Sequence, residues 1–171
     1  MKSHPITLPA FGALIPGQGG YFAGILRGAT VDGIEQPPYA LLVSDAAKGE
    51  IEDVQWGEYG KSVDGATHRR DGKSNTDAMV LAQCPAALEV REVSSDGHND
   101  WYLPALGEMN TAHANVPELF STSGWYWTST QLSRYGAFVQ VFEYGNSDWD
   151  SKGYEHRVRA FRRIPLELLT A

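Results

Sequence analysis

The sequence predicts an α+β domain, and three observations carry that prediction. Toward the C-terminus two runs alternate with period two, the spacing of a strand. In Ala137–Tyr144, Val139 and Val141 fall on one face and Phe138, Gln140 and Phe142 on the other. In Glu155–Ile164, Val158 and Ala160 oppose Arg157, Arg159 and Phe161. In the middle of the chain two segments carry helix signals, and helices inside an otherwise β chain indicate α+β. The 18 glycines, nine prolines, five tryptophans and eight tyrosines call for many turns and short, aromatic-packed strands.

Taken in order, residues 1–18 read as an extended arm. Pro5, Pro9 and Pro16 block helix there, while Phe11, Leu14 and Ile15 can dock on the same domain or on a neighbouring subunit. Strands are expected at Tyr21–Arg27 and Tyr39–Ser44, with turn chemistry at Asp32-Gly33 and Pro37-Pro38 between them. Residues 45–75 read as a long polar loop with one short strand, anchored by Trp56. A helix is expected over Thr76–Ala82, capped by Ser74 or Asn75 with Asp77 in its first turn. Pro85 then opens a helical segment over Ala86–Val93. Asp96-Gly97 turns the chain into Trp101–Pro104, and a second helix follows at Ala105–Ala114, ended by Val116-Pro117. Trp125–Thr130 is an aromatic strand, and Gly145–Tyr154 is a polar loop with Trp149 at its middle. The expected organisation is an arm (1–18), a domain (19–165) and a short tail (166–171). There is no internal repeat.

Composition removes several function classes. At 171 residues the chain makes one domain with a real core. A net charge of −7 argues against nucleic-acid binding, which needs accumulated Lys and Arg. The one dense basic run, Arg157, Arg159, Arg162 and Arg163, is expected to be solvated or carboxylate-paired. No stretch reaches the roughly 20 apolar residues of a membrane span, and the N-terminus lacks the apolar run of a signal peptide. Cys84, the single cysteine, cannot form an internal disulfide and sits among small apolar residues as a buried hydrophobe. There is no phosphate-binding glycine loop, nucleophile elbow, paired CxxC or HExxH, so no catalytic residue is assigned. His4, His68, His98, His113 and His156 lack ligand spacing, and His113 reads as a packed helix residue. The acidic groups at Asp71–Asp77, Asp96–Asp100 and Asp148/Asp150 lack the calcium-loop pattern. Neither a metal nor a cofactor is expected, and calcium is unsupported.

Trp149, set among Asp, Asn and Ser, has the chemistry of a recognition surface, a flat apolar anchor surrounded by adaptable polar groups. Several pieces together resemble one family. They are Asp100-Trp-Tyr-Leu-Pro104 followed by a helix with Glu108, then Tyr126-Trp-Thr-Ser-Thr130, then Lys152 and Arg157-Val-Arg-Ala-Phe-Arg162. Upstream, Trp56-Gly57, Asp71-Gly72 and Asn75-Thr76 fit as well. The set resembles the C-type lectin-like domain of bacterial adhesins and phage proteins, which includes the variable proteins of diversity-generating retroelements.

The resemblance implies terminal strands paired with each other, two helices and a short central sheet. It also implies ligand contacts at Leu132, Ser133, Arg134, Tyr135, Phe138, Gln140, Tyr144, Asn146, Asp148, Trp149, Asp150, Tyr154 and His156. Ala105 stands where the family often has a capping serine, which weakens the helix cap. The calcium triplets of sugar-binding lectins are not recognisable, and one cysteine excludes the related formylglycine-generating activity. The expected function is therefore a non-enzymatic ligand-binding module of a phage virion, in a tail fibre or surface decoration. Its partners would be a host-surface glycan or protein and other virion proteins, with a homotrimer implied by analogy. The alternatives are a structural virion protein whose aromatic loop is a subunit contact, or a bacterial surface adhesin domain.

Overall fold

A computed structural model of the chain describes residues 7–170. His4, Pro5 and the start of the expected arm lie outside the described residues. The fold is mixed α+β. Its elements are β1 (Gly20–Leu26), β2 (Thr30–Val31), β3 (Ile34–Glu35), β4 (Tyr39–Ser44), α1 (Ala46–Gly49), β5 (Glu50–Gln55), α2 (Gly72–Leu81), α3 (Pro85–Arg91) and α4 (Leu106–Asn115). Then come β6 (Tyr126–Gln131), β7 (Gly136–Val141), β8 (Asn146–Ser151), β9 (Glu155–Arg159) and β10 (Phe161–Pro165).

Two sheets organise the chain. The smaller has the order β1-β4-β10, and the larger runs β5-β9-β6-β7-β8. β4 is central in its sheet and every residue in YALLVS is buried, which explains its unbroken apolar run. The terminal strands share this sheet, but each pairs with β4 and not with the other. The expected direct pairing is thereby corrected.

The run 155–164 is two strands, not one. Ala160 is the switch: its amide donates to the Gly49 carbonyl (2.8 Å) and its own carbonyl accepts from the Ser44 amide (3.0 Å). Before it, Val158 packs with Trp127 and Val139; after it, Phe161 packs with Tyr126 and Met109. A side chain at Gly49 would meet the Ser44 hydroxyl at 2.1 Å, so only glycine allows this crossing.

α2 and α4 begin where buried acceptors meet their first amides. Asp71 caps α2, accepting from the Ser74 amide (3.0 Å), so the helix starts ahead of the expected Ser74 or Asn75 cap. Asn75 is instead buried, bonding the His68 amide and carbonyl. Ala105 offers no capping oxygen to α4. Thr130 supplies one across the fold, its Oγ1 accepting from the Leu106 amide (3.0 Å) while donating to the His68 carbonyl (2.8 Å). A residue 24 positions away thus does the work expected of a local serine.

Arm and tail belong to one body. The Gly12 amide donates to the Phe22 carbonyl, Phe11 stacks on Phe22, and Ile15 is buried. Leu169, in the 3-10 turn over Leu166–Thr170, joins Ile15, Phe22 and Ile164 in the same apolar cluster.

Thr130→Val should remove both bonds and strand the Leu106 amide in the interior. We expect a loss of about 1–2 kcal/mol, read as a lower urea midpoint at unchanged slope. An unchanged midpoint would contradict the cross-fold cap.

Candidate functional site

One end of the larger sheet is built on a buried cation. Lys152 is inaccessible to solvent, and its ammonium donates to the Gln131 Oε1 (2.6 Å) and the Lys61 carbonyl (2.8 Å). It also lies 4.6 Å from the centroid of the Trp56 ring, a cation–π contact that helps offset desolvation. Gln131 in turn accepts from the Val63 amide (2.8 Å), and the Lys152 amide donates to the Tyr135 carbonyl (2.9 Å). Trp56 is fixed by its indole N–H bond to the Thr128 carbonyl (2.8 Å). Three loops far apart in sequence, around residues 56–63, 131–136 and 151–155, are therefore clamped together from beneath.

Above the clamp the loops expose aromatic rings. Tyr59 packs on Tyr135 with centroids 5.1 Å apart, and Leu132 and Tyr154 are exposed. Arg134 locks the first two loops, its Nε donating to the Gly60 carbonyl (2.8 Å) while the Gly60 amide donates back to the Arg134 carbonyl (2.9 Å). Gln55 reaches the Gly153 carbonyl of the third loop (3.0 Å). Ser133 turns its hydroxyl onto the Tyr135 amide (3.1 Å) and so shapes the loop.

Asn146–Ser151 is a strand, not the expected loop. It pairs with β7 in register, Phe138 opposite Trp149 and Gln140 opposite Ser147. Paired residues share a face and neighbours alternate, so the predicted contacts divide. Phe138, Gln140 and Trp149 lie on one face, with Arg69 5.1 Å from the Phe138 centroid and Ser147 bonded to Asn110 of α4 (2.7 Å). Asp148 and Asp150 lie on the other. There the Asp150 Oδ2 meets the His156 Nε2 (2.7 Å), and His156 packs on Trp125 and Trp127.

Gln140 requires correction as a surface contact: it is 1 % exposed and accepts from the Ser147 hydroxyl (3.0 Å), supporting the surface from below. Tyr144 and Asn146 are exposed but sit by the hairpin turn, beside His113. A six-residue strand places them roughly 17 Å from the loop end. Trp149 is 54 % exposed and Tyr154 61 %. The Trp149 ring rests on Gly136, where a Cβ would stand 2.8 Å from its Cε3.

No known family model matches the chain, and no curated protein matches it. Function must therefore be argued from these side chains.

Asp148 and Asp150 have a structural task. β8 is the outer strand of its sheet, and the Trp149 and Ser151 amides donate to the Asp148 and Asp150 Oδ1 atoms, both at 2.8 Å. The carboxylates consume edge donors that would otherwise recruit another strand. Among the described residues no three His, Cys, Asp or Glu side chains converge on a metal position. Burial pushes the Cys84 thiol up, the opposite of nucleophile activation. The residues that sequence reasoning did not assign to the site are Tyr59, Arg69 and Asn110, brought in by contacts across the fold with no local signal.

Burial pushes the Lys152 ammonium down from 10.5 to about 8. Between those values the unfolded chain holds the proton more tightly than the native one, so stability should rise with pH. Lys152→Met should flatten that rise. From pH 8 to 9.5 the wild-type chain should gain about 1–2 kcal/mol relative to the variant. Parallel curves in urea denaturation would contradict the buried-cation clamp.

Proposed function

We propose that this chain is a non-enzymatic ligand-binding module of C-type lectin-like fold, serving a phage virion in recognition of a host-surface ligand. The observation that carries the reading is the exposure of Tyr59, Leu132, Tyr135, Trp149 and Tyr154 over a fully bonded base. Large apolar side chains gathered on one exposed surface mark a contact site, because covering them removes apolar area from water. Rings held by buried bonds bind with little loss of freedom, which favours affinity. The motif set from Asp100 to Arg162 and the terminal strands' shared sheet support the fold assignment. A virion location and a trimer follow from the resemblance alone.

A second reading is favoured by a different surface. Leu8, Phe11, Leu14 and Ile25 are exposed along the N-terminal segment and β1, on residues suited to a subunit contact. Under that reading Leu8→Ser with Leu14→Ser should lower the mass in solution, measured by light scattering, and leave ligand binding intact. A mass that does not change would set the subunit-contact reading aside.

Trp149→Ala tests the first reading. Retention on a glycan and host-protein array should fall about 30-fold or more, the scale of a truncated hot-spot aromatic. Its thermal midpoint should stay close to wild type, because an exposed ring contributes little to the core. Undiminished binding with a large loss of stability would reverse the assignment.

A further inference from the structure

Acidic side chains outnumber basic ones 21 to 14, so an arginine here ordinarily finds a carboxylate. Arg91 pairs with Asp77, Arg157 with Glu50 and Glu52, Arg159 with Glu50, Arg162 with Asp100 and Arg163 with Asp71. Arg134 makes no ion pair among the described residues but bonds the Gly60 carbonyl through its Nε (2.8 Å); Arg27, Arg69 and Arg70 have neither. Among the described residues none of the three makes an ion pair, although carboxylates are in surplus.

These three arginines lie together. A cleft of about 320 Å³ is bounded by Thr30, His68, Arg69, Arg70 and Asp71. A second, of about 180 Å³, is bounded by Arg27, Arg70, Gly107 and Thr111. The two share Arg70. Its Nη1 is buried with no hydrogen-bond partner, a strong donor left unmet inside the protein. The one carboxylate in the lining is already engaged: Asp71 is 5 % exposed and accepts from Arg163 (2.9 Å) and from the Ser74 amide and hydroxyl.

The helix ends beside the clefts are satisfied as well. The Gly107 amide donates to the Arg69 carbonyl (2.7 Å) and the Gly72 amide to the Glu108 Oε1 (2.7 Å). Attraction for an anion therefore comes from guanidinium groups and not from a helix terminus. Like charges gathered without a counter-charge repel one another, and a bound oxyanion relieves that while matching the planar fork of each guanidinium.

Arg69 joins the cleft to the aromatic face, since its guanidinium covers Phe138 and Phe138 pairs with Trp149. An oxyanion on the arginines with a flat ring on Trp149 describes a sugar carrying a sulfate, phosphate or carboxylate. We propose that Arg27, Arg69 and Arg70 form the anion subsite of the recognition surface, and that its ligand is an acidic saccharide. The saccharide half rests on the ligand-binding reading above; the anion subsite does not.

The test titrates the full chain with sulfated, phosphorylated and sialylated oligosaccharides, their neutral counterparts, sodium sulfate and an oligothymidylate of similar charge. Arg27→Gln, Arg69→Gln and Trp149→Ala are run beside it; all three positions are exposed, so folding should survive. At least one acidic saccharide should bind about ten-fold or more tightly than its neutral counterpart. Each arginine change should remove about ten-fold or more of that affinity, the scale of a lost charge-assisted bond, and leave neutral-sugar binding unchanged. Acidic and neutral sugars binding alike, no binding by any acidic probe, or indifference to both arginine changes would overturn the subsite. The oligothymidylate or free sulfate binding as tightly as the best saccharide would overturn the saccharide class. Arginine effects without a Trp149 effect would leave the anion subsite standing and sink the aromatic platform instead.

Discussion

A single buried carboxylate holds the two halves of this fold to one geometry. Glu108 has no solvent exposure, and its Oε1 accepts from the Gly72 amide (2.7 Å) and the Ala105 amide (3.2 Å), the starts of α2 and α4. Its Oε2 accepts from the hydroxyls of Tyr39, on β4 (3.0 Å), and Tyr102. Burial pushes the Glu108 carboxyl upward, while Arg163, the Tyr102 hydroxyl and the Ala105 and Gly72 amides pull it back. Desolvating an unpaired carboxylate would be prohibitive, and removing any one donor leaves part of that cost exposed. Arg163 closes the set, stacked over Tyr39 at 4.6 Å and Tyr102 at 5.1 Å and bonded to the α2 cap Asp71. The hydroxyls stay protonated donors because burial raises both far above their ordinary value.

From that hub the recognition end follows by short steps. Fixing the starts of α2 and α4 fixes residues 68–71 between them, which places Arg69 over Phe138 and Arg70 between the clefts. Thr130 ties the same region to β6, and the next residue, Gln131, belongs to the Lys152 clamp. Two buried ionic groups, joined through the neighbouring β6 residues Thr130 and Gln131, thus support a surface on which polar side chains mostly bond the protein itself. The exposed rings are what remains for a partner.

The sequence made much of this legible. Period-two runs marked β7 and the segment that holds β9 and β10, apolar and aromatic runs marked β1, β4 and β6, and Pro85 marked the start of α3. β8 was missed because NSDWDS carries no apolar alternation; it is a strand because β7 offers a ladder and its outer edge faces water. The break at Ala160 was invisible because side-chain alternation continues through it while the backbone changes sheets. Lys152 reads as solvated on its own, and its burial comes from Gln131 and Lys61, 21 and 91 positions away. For the site, Trp149 stood out by residue type and Tyr154 through the family resemblance, whereas His68-Arg69-Arg70 reads as an ordinary polar turn. Only the unequal pairing of arginines across the fold distinguishes it.

The central claim is that a rigid base presents the Trp149 face and the arginine cleft to one ligand. Nuclear magnetic resonance titration with the tightest acidic saccharide tests it most directly, following indole, guanidinium and backbone amide signals together. The predicted result is movement of the Trp149 indole and of Arg27, Arg69 and Arg70, with the Gly72 and Ala105 amides at the Glu108 hub unmoved. Shifts confined to the groove of Pro37, Pro38 and Pro165, or a hub that rearranges as the ligand binds, would contradict it.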